Sequence, residues 1–480
     1  MTMLRATVVV FAFGLISLFG ASRAQTQQVS LPALLLKHWA EPKITMHKNA
    51  AEIPADKYGF RPTEAQQTFG ERTVHIATVN VAVLGSLDRT APPEPTIDPK
   101  ATTKDATIKA LDNSFDYGAF WAAQAESIPT DSPRWQLEGR AKATEYLGRR
   151  CLWLQGGAAT LKDFEMTDGV IDVDMAGSGA RGFYNILFRT QGDGNGEQVY
   201  LRPHKTGLDD AQQYTPTLNG AAAWQIYNGP GFTRAVDIPR GIWFHVRLEI
   251  TGAQAKLYVN DMREPSLVMN DLKSGIRKGG VGLEGAAYFS NFEIRETPPV
   301  AWERHEPAMR AATITQWSLS PSLDGLERDL ERPLSKSEAA AMKWQDITAE
   351  PPGFVVINRY RRSPEVNPTF ANDFSRRLEP QKEMEVVYAR TTVVSDRDQL
   401  KKLNVGYSDD VSVFLNEKIL YRGRSAQRFR DPGFLGIVNP ENDAVYLPLK
   451  KGRNELMLAV SELIGGWGFI CRFDNMDGVH

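Results

Sequence analysis

The sequence predicts a mainly β protein: two β-sandwich (jelly-roll) domains preceded by a short α-helical segment. Three observations carry this. Residues 130–297 and 346–480 hold short runs in which apolar and polar residues alternate, the period of a half-buried strand. Gly- and Pro-rich turns punctuate those runs at the spacing of an antiparallel sandwich. Helical spacing is concentrated in residues 31–125. A chain of 480 residues has room for several such domains.

The first element reads as a secretion signal. Arg5 gives the positive start and residues 8–19 an apolar run. Ser22 and Ala24 are the small residues a signal peptidase reads, with Gln25 as the expected mature start. The apolar run is short for a bilayer span. The expected location is periplasmic or secreted, with no membrane contact after cleavage. The 56 basic and 58 acidic residues nearly cancel and form no basic stripe, so nucleic acid and anionic membranes are not expected partners. Cys151 and Cys471 are the only cysteines and fall in different expected domains. The sequence leaves open whether they pair.

Helical runs follow at 34–47, 64–86 and 104–123, joined by IPADKYGFRPT and APPEPTIDPKAT. In the second run Phe69, Ile76, Val79 and Val83 share one side, with His75 on its border. The Ile-Pro-x-x-Lys-Tyr-x-Phe-Arg-Pro turn followed by a helix carrying a His resembles the first half of a DinB-like four-helix bundle, here residues 31–125. That resemblance implies His75 as one of three metal ligands. The other two would come from a His-x-x-x-His pair, which the seven histidines do not provide. A metal needs at least three protein ligands, so no complete metal site is expected. A half-bundle leaves an apolar stripe uncovered, which makes a homodimer through this segment an expectation.

In the middle segment strands are expected at 170–175, 184–190, 198–204, 243–251, 255–259, 280–283 and 287–295. It opens with LEGRAKATEYLGRRCLWLQGGAATLKDFEMTDGVIDVDM and closes with GGVGLEGAAYFSNFEI. Together these resemble the concanavalin A-like lectin/glucanase sandwich, near its laminin-G-like and 3-keto-disaccharide-hydrolase-like branches. The resemblance implies a sandwich over 130–297 and a function in binding or processing glycans. Residues 298–345 read as a connector packed on its neighbours through Trp302, Trp317 and Trp344. Beyond it, strands are expected at 385–394, 403–407, 411–415 and 456–460, with a hairpin at Asn416-Glu417-Lys418. The Val-x-Val-Phe-x-Asn strand, the Leu-x-x-Gly-x-Asn-x-Leu turn and the Gly-Gly-Trp-Gly-Phe end resemble a galactose-binding-like jelly roll over 346–480. Trp467 and Phe469 are expected in its core.

The candidate site lies between Gly182 and Gly229. In the first strand Asn185, Leu187 and Arg189 oppose Tyr184, Ile186 and Phe188; in the second Gln198, Tyr200, Arg202 and His204 oppose Val199, Leu201 and Pro203. The following loop adds Tyr214, Trp224 and Tyr227. Flat rings beside hydrogen-bonding groups suit sugars, which have apolar C–H faces and a rim of hydroxyls. The expected ligand set is therefore Arg189, Tyr200, Arg202, His204, Tyr214, Trp224 and Tyr227. The rings would stack on sugar faces, and Arg and His would bond hydroxyls or a uronate carboxylate.

Catalytic patterns are scarce. No nucleophile elbow, zinc helix or phosphate loop is present. Asp172 and Asp174 share one strand face, and the Glu-x-Asp-x-x-Glu pattern of concanavalin A-like glycanases is absent. His204, Asp172 and Glu197 are the acid–base candidates should the chain act on glycans. The turn GDGNGEQ at 192–198 has the oxygens for calcium, but Asp-Gly and Asn-Gly form hairpin turns unaided, so no cofactor is expected. The expected function is recognition of extracellular carbohydrate. The alternatives are a glycan-acting hydrolase or lyase, and a non-enzymatic scaffold that binds a protein partner.

Overall fold

The computed structural model describes residues 31–87, 97–123, 126–177, 180–297, 299–325, 328–362 and 385–480. The expected signal and its cleavage site lie outside the described residues.

Three helices come first: α1 (Leu31–Glu52), α2 (Phe69–Leu87) and α3 (Lys104–Ala123). Ala50, Leu111 and Phe115 form a small core with Phe69, Ile76 and Ile108. After α1 the chain makes one 3-10 turn, Ala55–Lys57. It then buries Tyr58, whose hydroxyl donates to the Ala50 carbonyl at 2.7 Å. Lys104 Nζ donates to the carbonyls of Ala51 and Ile53, tying the end of α1 to the start of α3. Of the expected stripe, Phe69 and Ile76 pack in that small core, but the most buried positions of α2 differ from it. Val74, Ala77 and Val81 are buried, whereas Val79 is 42% exposed. One turn beyond buried Ala77, Asn80 is bonded to Ser114 of α3 and Val81 packs against Tyr117. The side chain of Val83 lies outside the described residues.

The first sandwich has two antiparallel sheets of eight strands. The back sheet runs in the order Leu267–Met269, Gln254–Val259, Phe244–Thr251, Asp168–Ala176, Tyr288–Thr297, Arg149–Trp153, Lys142–Tyr146, with an eighth strand, Glu126–Ile128, also paired with Tyr288–Thr297. The front sheet runs Ala221–Ala222, Gln212–Leu218, Gly196–Leu201, Tyr184–Thr190, Gly280–Gly285, Gly157–Leu161, Trp135–Glu138, with an eighth strand, Thr233–Arg234, also paired with Gln212–Leu218. Alternation puts Ile171, Val173 and Met175 of the back sheet against Tyr184, Ile186, Phe188, Val199 and Leu201 of the front sheet in one core. The same alternation turns Tyr200 to the outer face of the front sheet.

The second sandwich pairs a seven-stranded with a four-stranded sheet. It begins earlier than the sequence suggests. Gln316–Leu319, inside the expected connector, pairs with Gln345–Thr348 and Glu385–Ser395. Trp317 meets Phe469 edge-to-face at 4.9 Å, and Trp467 is fully buried. Asn416 and Glu417 both take left-handed φ (49° and 65°) and join Asp410–Leu415 to Lys418–Arg424 in a two-residue hairpin. Cys151 and Cys471 are both buried and free, one in each sandwich.

The two sandwiches are docked. Leu218, Ala223, Ile226 and Tyr227 of the first share an apolar cluster with Phe354, Val356, Val438 and Ile470 of the second. Gln225 is the polar centre of the contact and is fully buried. Its backbone N–H donates to the Gly465 carbonyl at 2.8 Å, and its backbone carbonyl accepts from Val438 at 2.9 Å. Its Nε2 donates to the Leu435 carbonyl at 2.9 Å, and its Oε1 accepts from Ser408 at 2.8 Å. Every polar group of this residue is thus paired with the second sandwich, as burial requires.

Candidate functional site

The docked sandwiches leave a cavity of about 210 Å³ over the outer face of the front sheet. Tyr200 reaches it from strand Gly196–Leu201, and Arg202 from the residue just beyond. Pro203 lacks an N–H, so the ladder stops there and the chain makes one 3-10 turn, Pro203–Lys205. That turn brings His204 and Lys205 to the rim. Arg181 and Phe183 arrive from the segment before Tyr184–Thr190, and Trp224 from the turn after Ala221–Ala222. The opposite wall belongs to the second sandwich and includes Gln427, Arg428 and Leu435.

The site is held by buried polar contacts. Tyr200 Oη donates to Gln213 Oε1 at 2.7 Å, and Gln213 Nε2 donates to the Trp224 and Tyr227 carbonyls at 3.1 Å each. Gln213 thereby fixes the tyrosine and the tryptophan turn together. Arg202 Nε donates to the Asp210 carbonyl at 2.7 Å, and its guanidinium pairs with the Asp210 carboxylate at 3.0 Å. Its cation lies 5.6 Å from the Tyr200 ring centre and 6.0 Å from that of Phe183. His204 Nδ1 accepts from the Gly182 N–H at 3.5 Å. Burial, then the cations Arg202, Arg181 and Lys205, push the His204 pKa down to about 4. The imidazole is therefore neutral at pH 7, with its remaining proton on Nε2 as a donor. Trp224 is 4% exposed, and its indole N–H has no hydrogen-bond partner among the described residues.

Tyr200, Arg202, His204 and Trp224 thus meet in one cavity, and three other expected ligand residues lie elsewhere. Arg189 is the extra residue of a β-bulge: Gly280 pairs with Thr190 and Val281 with Phe188, and Arg189 takes φ +50°. The bulge breaks the alternation and turns its side chain inward. There it pairs with buried Asp168 at 3.0 Å and donates to the carbonyls of Thr167 and Gly252. Tyr214 belongs to strand Gln212–Leu218 rather than to a loop and faces the core, its hydroxyl on Glu197 Oε2 at 2.7 Å. Tyr227 is buried at the sandwich contact, where its hydroxyl meets Glu350 and Arg359.

The acid–base candidates scatter as well. Glu197 is in the first core, bonded by Tyr214 and Ser274, and burial raises its pKa. Asp172 is on the outer face of the back sheet, across the sandwich from the cavity. There His245 lies between two acids, Nε2 at 2.8 Å from Asp172 and Nδ1 at 2.8 Å from Asp174. Arg247 binds Asp172 and Arg149 binds Asp174. Burial opposes ionisation of both acids, but the His245 bonds prevail and hold their pKa values below the usual range. The same bonds outweigh desolvation at His245 and raise it to about 9. Glu293, the cross-strand neighbour of Asp172, is pushed up to about 7 by burial and by that acid.

His75 is exposed on α2, and no group of metal-ligating side chains is assembled among the described residues. Two side-chain oxygens of the 192–198 turn accept backbone N–H groups. Asp193 Oδ1 accepts from the Asn195 N–H at 3.0 Å, and Asn195 Oδ1 from the Asn219 N–H at 2.7 Å.

Sequence reasoning missed Arg181, Phe183, Lys205 and Arg428. Alternation puts Lys205 on the opposite face from His204, and only the Pro203–Lys205 turn brings it to the rim. Arg428 had no signal, because only the docking of the sandwiches brings its loop to the front sheet.

No protein-family profile matches the chain, and no curated protein matches it in sequence. Solved structures similar to parts of it include carbohydrate binding module CBM66 from Bacillus subtilis, with 18% identity over 34% of this chain and 93% of that one, TM-score 0.26. A β-glucanase from Bacillus licheniformis matches at 12% identity over 36% of this chain and 98% of that one, TM-score 0.27. CG-16, a homodimeric agglutinin from chicken liver, matches at 12% identity over 28% and 98%, TM-score 0.23.

Proposed function

We propose that this is an exported protein that binds extracellular carbohydrate in the cavity between the front sheet and the second sandwich. The observation that carries the reading is the convergence there of the Tyr200, Phe183 and Trp224 rings with the donors of Arg202 and His204. Rings give a sugar its apolar contact, and fixed donors take its hydroxyls. The cavity, about 210 Å³, is below the range of roughly 300–1,000 Å³ for drug-sized ligands, which suits one sugar ring rather than a long stretch of chain.

Binding is favoured over hydrolysis. A glycosidase needs two carboxyl groups flanking the scissile bond. Among the described residues no carboxylate lines the cavity. The test is a glycan screen on the chain from Gln25 onward, followed by calorimetry with His204→Ala and Trp224→Phe. Binding without product, weakened in both folded variants, supports the reading. Product release would replace it with the hydrolase, and no affinity for any glycan would favour a protein-binding scaffold.

A further inference from the structure

Resting on that carbohydrate reading, we propose that the sugar taken by this cavity is anionic, its carboxylate or sulfate ester held jointly by arginines of the two sandwiches. Arg181, Arg202 and Lys205 come from the first sandwich and Arg428 from the second. Asp210, behind the rim, pairs with Arg202 at 3.0 Å and with Lys205 at 3.5 Å. The lining itself contributes cations and, among the described residues, no acid.

These cations feel one another. After burial, Arg428 and Arg202 are the groups that depress the Arg181 pKa. An anion is attracted to like cations gathered around a partly enclosed space. The geometry is built for it. Arg428 sits at left-handed φ (+64°) in a loop closed by its N–H on the Phe434 carbonyl at 2.7 Å. The loop is anchored to the first sandwich through Leu435 and Gln225. The Trp224 ring lines the same cavity and gives an apolar surface next to these cations. An anionic sugar offers oxygen acceptors for the guanidinium groups, a match that charge assistance strengthens.

The experiment is calorimetric titration with trisaccharides of the gluco and galacto series, each as uronate, sulfate ester and neutral sugar. One anionic form is expected to bind about tenfold tighter than its neutral counterpart, the effect of one charge-assisted contact. The preference should shrink with added salt. It should be lost in Arg428→Gln and in Arg181→Gln, both at exposed positions, with circular dichroism unchanged. The carboxylate and sulfate arms identify which anion is used. Equal or better binding of the neutral sugars overturns this inference and leaves the carbohydrate reading standing. No binding of any sugar overturns both.

Discussion

At the scale of the residue, Arg189 and Tyr200 were read by the same rule and came out differently. Period-two alternation placed both on a polar strand face. It held for Tyr200, which lies in regular ladder between Asn185 and Gln213. It failed for Arg189, because a bulge opposite Gly280 is a property of strand pairing and leaves no mark in the local alternation. Arg189 is instead half of a buried ion pair, with Asp168 also receiving the N–H groups of Gly252 and Val300. Arg189→Met should leave that carboxylate short of its charge partner. Urea denaturation should then show a loss of about 3 kcal/mol. Sugar affinity should stay unchanged under conditions where the variant is folded, since the residue does not reach the cavity.

At the scale of the element, the strand Asp168–Ala176 was legible almost to its ends, as was the shared face of Asp172 and Asp174. Their partners were not, because His245 and Arg247 become neighbours only through the register with Phe244–Thr251. The network makes a pH prediction. His245 is raised from 6.5 to about 9, so its contribution is fully present below pH 6.5 and is lost as pH rises through 9. Glu293, raised to about 7, acts in the same sense at lower pH, disfavouring the fold as it ionises. Asp172 and Asp174 act oppositely, their contribution fading as pH falls below the usual carboxylate range. The melting temperature should therefore fall between pH 7 and pH 10. His245→Gln should flatten that slope. An identical slope in the variant would remove His245 as its source. The strand Gln316–Leu319 was missed for a related reason. It has four residues amid prolines and charges, and pairing with longer neighbours sustains it.

At the scale of the whole molecule, both sandwiches could be read from alternation and turns, but their contact could not. Gln225 and Leu435 are 210 residues apart, and no local pattern links them. The half of the cavity wall supplied by the second sandwich was invisible for that reason. The contact depends on close backbone approach. A Cβ on Gly466 would come within 2.7 Å of Ala223 Cα, and the residue takes φ +120°. Gly466→Ala should loosen the docking. Scanning calorimetry is expected to show two separate transitions where the parent shows one, with weakened sugar binding. A single, unshifted transition would mean that the sandwiches unfold together without this contact.

Cys151 and Cys471 are free thiols, one to each sandwich, and so can report on kinetics. Each sandwich holds one buried thiol, and burial keeps both from ionising, raising Cys151 to about 11 and Cys471 further still. Neither should react with an alkylating reagent until its own half of the molecule opens. The chain thus contains two internal clocks, and the labelling rates of Cys151 and Cys471 under native conditions time the two openings separately. A sugar held by both halves should slow both clocks together.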